Sequence, residues 1–229
     1  MRLFALFFTV LFTINSYGQL IHDESYLDPS FLKFKTELMQ CVIQKDTLKL
    51  KDFLADHVLE SKDGCDYPGC TPDELIRYHF TYSADESWNS MLTILRFGFR
   101  RVEDEYPELR VPHDKTTFIG PSYADKIDPS TELLILGENV RIRKQPSLNA
   151  EVIQTASYEV FKCDCSILTM TDKTFQTADG VDWIEVKVDD HTTGYVASTL
   201  TSYSLLRDMT IAKVDGQWKI ISWFMGPGC

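Results

Sequence analysis

Between Asp28 and Gly98 the apolar residues recur every three or four positions, the period of helices that bury one face. Phe31, Phe34, Leu38, Cys41 and Val42 make the first such stripe. Asp28 precedes it as an N-cap, and Pro29 falls in the first turn, where a missing N–H is harmless. Asp46 starts a second short helix with Leu50, Phe53 and Leu54 inward. Thr71-Pro72-Asp73-Glu74 carries a capping-box pattern. Ser83 with Glu86 repeats that pattern ahead of Trp88, Met91, Leu92 and Leu95, and Gly98 ends this helix.

The period then changes. Phe97, Phe99 and Val102 alternate as in a strand, but the polar run over 100–108 breaks the pattern. Thr116 to Gly120 is a short β-like run, and the stretch as a whole predicts no firm element. Further on, Val140 and Ile142 point one way and Arg141 and Arg143 the other, as in a half-buried strand. At the C-terminal end, Met209–Val214 and Gln217–Phe224 flank Asp215-Gly216, a dipeptide suited to a two-residue hairpin turn. Strict alternation puts Met209, Ile211, Trp218, Ile220 and Phe224 on one face, and Val214, Ile221 and Trp223 on the other. An isolated hairpin is marginal in water, so this one needs cover on both sides.

Asn139-Val140-Arg141-Ile142-Arg143, Pro146, Val152-Ile153, Trp183-Ile184-Glu185-Val186-Lys187-Val188 and Gly194-Tyr195-Val196-Ala197 follow one another in an order that resembles a bacterial SH3-like domain. The resemblance implies a small β-barrel that binds peptides, cell-wall fragments or neighbouring domains and performs no chemistry. In that family glycines usually stand near Pro146 and after the second strand, where this chain has Gln145 and Ser157-Tyr158; the central connection, Asp164 to Asp179, is also longer. The implied ligand groove is aromatic, with Tyr158, Trp183 and Tyr195 as its candidates and Arg141 and Arg143 as contacts to acidic groups. A second reading makes Trp183 and Tyr195 barrel-closing residues and the arginines a solvated face. Lys213 to Ile220 also looks like the closing strands of cone-shaped folds of the nuclear-transport-factor type.

The helices lack strands and the hairpin lacks helices, so an α+β fold follows in which each completes the other. The expected division is a host domain of residues 19–131 plus 204–229, with the SH3-like barrel of residues 132–203 inserted; chain termini of small domains lie close enough to permit this. The alternative is a helical domain followed by one extended β domain.

Residues 1–18 read as a signal peptide: Arg2, an apolar run from Leu3 to Ile14 too short to span a bilayer, and small residues at Ser16 and Gly18. The expected location is periplasmic or extracellular, with no membrane segment left after cleavage. Six cysteines then point to disulfides. Cys65 and Cys70 flank Asp66-Tyr67-Pro68-Gly69, a turn that brings them together. Cys163 and Cys165, two apart in an expected strand, sit too far apart to close a ring easily; Cys41 reads as a buried thiol and the partner of Cys229 is open. A formal charge of −11 argues against nucleic acid or anionic membrane as partner.

For catalysis, Asp164-Cys165-Ser166 matches a motif of cell-wall cysteine peptidases, but there the cysteine opens a helix. Cys70 precedes the Thr71-Pro72 helix, with His79 or His113 as possible base. A zinc site from Cys163, Cys165 and His191 lacks the paired spacing of structural sites. No cofactor or metal is implied. The expectation is an exported, non-catalytic binding protein for a peptide, peptidoglycan or an envelope protein, with a cell-envelope hydrolase using Cys70 or Cys165 as the alternative.

Overall fold

The structure is a computed structural model and describes residues 20–60, 65, 68–81, 84–103, 114–124, 126–165, 175–204 and 207–225. The signal-like segment 1–18, Ser83 with its capping box, His113, the side chain of Phe224, and Cys229 lie outside the described residues.

The chain is α+β, with four α-helices and two sheets among the described residues. Helix α1 spans Pro29–Gln44, and Asp28 caps it by accepting from Ser30 N at 2.8 Å and Phe31 N at 3.2 Å. Its stripe is buried as the spacing predicts: Phe31, Phe34, Leu38, Cys41 and Val42 all face inward. Helix α2 is Thr47–Leu50, capped by Asp46. Helix α3, Pro72–Leu75, opens with the full Thr71–Glu74 capping box and runs on as a π-helical turn over Ile76–Thr81. Helix α4, Ala84–Phe97, ends where Gly98 turns to a φ of +75°, which only glycine adopts freely.

The first sheet joins both ends of the chain. Strands β1 (Leu54–Glu60), β2 (Arg100–Glu103), β3 (Thr116–Gly120) and the hairpin β11 (Arg207–Val214) and β12 (Gln217–Met225) lie in the order β1-β12-β11-β3-β2. The segment before residue 131 therefore supplies three strands where its sequence promised few. β1 pairs parallel to β12 with a register shift between Leu54 and Leu59, so its residues never show the alternation by which a strand is recognised.

The helices cover one face of this sheet. Phe31 stacks on Phe118 at 3.7 Å between ring centroids and meets Trp218 at 5.1 Å and Phe99 at 5.3 Å. The Trp218 indole N–H donates to Ser30 Oγ at 2.8 Å, tying β12 to the first turn of α1. Gly120 lets α4 approach β3, for a Cβ there would lie 2.7 Å from both Ile94 Cγ2 and Phe99 Cε1.

One assignment from strict alternation is reversed. Thr210 pairs with Ser222 but Ile211 pairs with Ile220, leaving Ile221 as an extra residue on β12. Such a bulge flips the parity of everything beyond it. Trp223 thus lies opposite Met209 in the helix-covered core, fully buried, and not on the far face. Ile221 turns to the far face with Ala55 and Ala212, where it too is buried.

The second sheet is a curled half-barrel formed wholly between β3 and β11. Its strands are β4 (Glu132–Leu134), β5 (Val140–Arg143), β6 (Val152–Ala156), β7 (Val160–Lys162), β8 (Phe175–Ala178), β9 (Val181–Lys187) and β10 (Thr193–Ala197). They run in the order β4-β7-β9-β10-β5-β6, with β8 on β9. Leu133, Val140, Ile142, Phe161, Ile184, Val186 and Val196 form a core of its own, while Leu134 joins the core under the helices. Gly194 is packed so closely that a Cβ would lie 2.6 Å from Ile142 Cγ2 and 2.8 Å from Ile153 Cδ1. Gly194→Ala is accordingly expected to cost about 1–3 kcal/mol by overpacking, read as a lower urea midpoint at unchanged slope.

Cys65 and Cys70 stand at disulfide distance, with Cα atoms 5.0 Å apart. Cys163 and Cys165 do as well, at 5.2 Å, which corrects the expectation that they sit too far apart to close a ring easily. Residues two apart in an extended strand are separated by roughly 6.6 Å. β7 stops at Lys162, however, so the two cysteines lie on a curled segment that shortens that distance. Cys41 is a buried free thiol, as its stripe predicts.

Candidate functional site

The site is set by the strand period of the half-barrel. Val140 and Ile142 occupy its interior, so β5 holds Arg141 and Arg143 on the outer face. On β9, Ile184 and Val186 point inward, which turns Trp183 and Glu185 outward. Trp183 is paired with Ala197 on β10. Ala197 carries only a methyl group between the large side chains of Trp183 and Arg141, and a depression opens there. Leu148, from the loop after β5, and Leu200, from the 3-10 turn Ser198–Leu200, rise as its walls. The result is an open groove of about 340 Å³ that also touches Glu138 and Asn139.

Its chemistry is an apolar trough with a cationic lip. Trp183 is only 1% exposed, and its indole N–H is already given to Ala178 O at 3.1 Å, so it serves as floor and not as platform. Leu148 and Leu200 are 51% and 43% exposed, so both walls offer apolar surface to the groove. Arg143 is steadied by donating from Nη1 to Ala150 O at 2.7 Å. Arg141 is exposed, and its side chain makes no hydrogen bond or ion pair with any described residue. The Leu148 wall is held from a distance. Asp179 Oδ2 accepts from Ser147 Oγ at 2.7 Å and from Leu148 N at 3.0 Å, and those two donors hold the Asp179 carboxyl below its usual range.

Three of the five residues singled out from the sequence, Arg141, Arg143 and Trp183, therefore meet in one groove. Tyr195 and Tyr158 are not in its lining. Tyr195 lies across from Arg143, but its hydroxyl donates to Glu185 Oε2 at 2.7 Å; burial, and then this carboxylate, push the phenol up to about 12. Tyr158 sits in the β6–β7 turn with a φ of +55°. The walls Leu148 and Leu200 and the anchor Asp179 escaped sequence reading. A leucine in a polar loop, such as Ser147-Leu148-Asn149, is the one signal that marks such a wall.

The catalytic candidates fare differently. Cys70 and Cys165 are each paired with a second cysteine and buried, and burial, with Asp46 nearby, pushes the remaining described thiol, Cys41, up to about 11. His79, weighed as a base for Cys70, instead places Nε2 3.2 Å from Glu60 Oε1, with both side chains shut from solvent. His191 lies in an exposed turn.

No family model, curated protein or solved structure gives a significant match to this chain.

Proposed function

We propose that this is an exported, non-catalytic binding protein. In this reading residues 132–203 are an SH3-like module inserted into an α+β host of residues 19–131 plus 204–229, and the module holds a peptide, cell-wall fragment or envelope protein. The observation that carries the reading is the groove, an open trough in which two exposed leucines stand beside a guanidinium that pairs with no described residue. Two cysteine pairs at disulfide distance fit an oxidising compartment, in line with the signal-like segment.

Leu148→Asp and Leu200→Asp place a charge in the trough without touching the core. Each is expected to weaken retention of the purified protein on isolated cell-envelope fractions by about tenfold or more. Equal retention of variant and wild type removes the groove from the binding role. The hydrolase alternative predicts one fast-reacting thiol in the native protein, which pH-dependent alkylation with mass mapping detects. Among the described cysteines the buried Cys41 is the only one expected to be free, and it should react slowly.

A further inference from the structure

Resting on the binding role given to the groove, we propose that its occupant is an acidic peptide, with an aliphatic side chain seated between Leu148 and Leu200 and a neighbouring carboxylate on Arg141 and Arg143. The charge pattern points to an anionic partner. The chain carries a formal charge of −11, yet the groove lining holds two guanidinium groups two residues apart on one strand face and one carboxylate, Glu138. The neighbouring carboxylates of Asp179 and Glu185 accept from Ser147, Leu148 and Tyr195. Arg141 spends no side-chain donor on a described residue, and Arg143 uses one nitrogen on Ala150 O, leaving a planar fork of the kind that matches a carboxylate. At physiological ionic strength repulsion from the rest of the acidic surface is screened beyond about 8 Å, so the local arginines decide the contact.

The apolar part selects peptide over glycan. Sugar rings pack on exposed aromatic faces, and the groove has none: Trp183 is 1% exposed and the two tyrosines lie outside the lining. Its walls are aliphatic and exposed, a shape for a leucine- or valine-sized side chain. Nor is the contact an added strand along β5, because that strand is already paired on both sides by β10 and β6. The peptide is therefore held by side chains, and the order of apolar and acidic residues sets specificity.

The test is a titration of the isotope-labelled protein, followed by backbone amide shifts, with a short peptide of alternating leucine and glutamate. Counterparts carrying glutamine or lysine for glutamate, and an oligogalacturonate as acidic glycan, are run in parallel. The acidic peptide is expected to shift the amides of Asn139, Arg141, Ala197 and Leu200 and to bind at least about tenfold more tightly than the lysine peptide. Arg141→Glu should reverse that preference and Arg141→Gln should weaken it, since Arg143 remains; both substitutions fall at an exposed position whose side chain bonds no described residue, which leaves the fold intact. Equal binding of the three peptides in the groove overturns the acidic occupant while leaving the groove's binding role in place. Shifts caused by the glycan and not by the peptide assign the groove to polysaccharide. If no probe moves the groove amides, both the occupant and the groove's role fall together.

Discussion

Phe31→Ala is expected to lower the unfolding free energy by about 3–5 kcal/mol, the range for removing a fully enclosed aromatic ring. Phe31 has no exposure, and its ring contacts come from elements far apart in the chain: Phe99, Phe118 on β3 and Trp218 on β12. The side chains around it are themselves enclosed, and Gly120 already brings β3 as close to Ile94 and Phe99 as their atoms allow, so collapse into the void is limited. Against a total stability of roughly 5–15 kcal/mol, the variant should remain folded but melt early. Urea unfolding followed by tryptophan fluorescence measures the loss. A loss below about 1 kcal/mol would mean that the hairpin and α1 do not share one core.

Asp208→Asn is expected to act in the opposite direction, and only above acidic pH. Asp208 lies on the far face of β11 beside Thr210, and burial raises its carboxyl from 3.8 to about 6. It makes no hydrogen bond or ion pair with a described residue that would offset the loss of water. Between those two pKa values the folded chain keeps a proton that the unfolded chain has released, so stability falls as pH rises through this window and stays lower beyond it. A shift of about two pH units corresponds to at most about 3 kcal/mol at neutral pH. The asparagine variant removes that penalty. It should gain up to about 2–3 kcal/mol over wild type near neutrality and little or nothing near pH 4. An equal change at both pH values would show that the carboxyl does not titrate in this way.

Much of the helical layer was legible because its signals are local. Asp28, Asp46, Thr71 with Glu74, and Gly98 each bond to or turn the backbone within a few residues, so their chemistry can be read in order along the chain. The hairpin turn at Asp215-Gly216 was legible for the same reason. Trp223 was not, because the extra residue at Ile221 is defined by a partner strand and leaves no mark in the alternation before it. β1 was hidden by its parallel pairing to β12, more than a hundred and fifty residues later, with an irregular register.

The candidate site divides along the same line. The alternation of β5 and β9 alone puts Arg141, Arg143 and Trp183 on one outer face, since a strand has a fixed period of two. Whether that face is a groove depends on contacts no local pattern encodes. Ala197 must fall beside Trp183, Asp179 must reach back to the loop carrying Leu148, and Leu200 must close the far side. The sequence by itself determined the helix ends, the apolar stripes, the α+β class and the outward arginines, because each follows from the geometry of a few consecutive residues. Tertiary structure alone decided which face of the hairpin enters the core, that Cys163 and Cys165 come within bonding distance, and that a buried tryptophan forms the floor of an open groove. Those outcomes depend on pairing register and long-range packing, and these are properties of the folded chain as a whole.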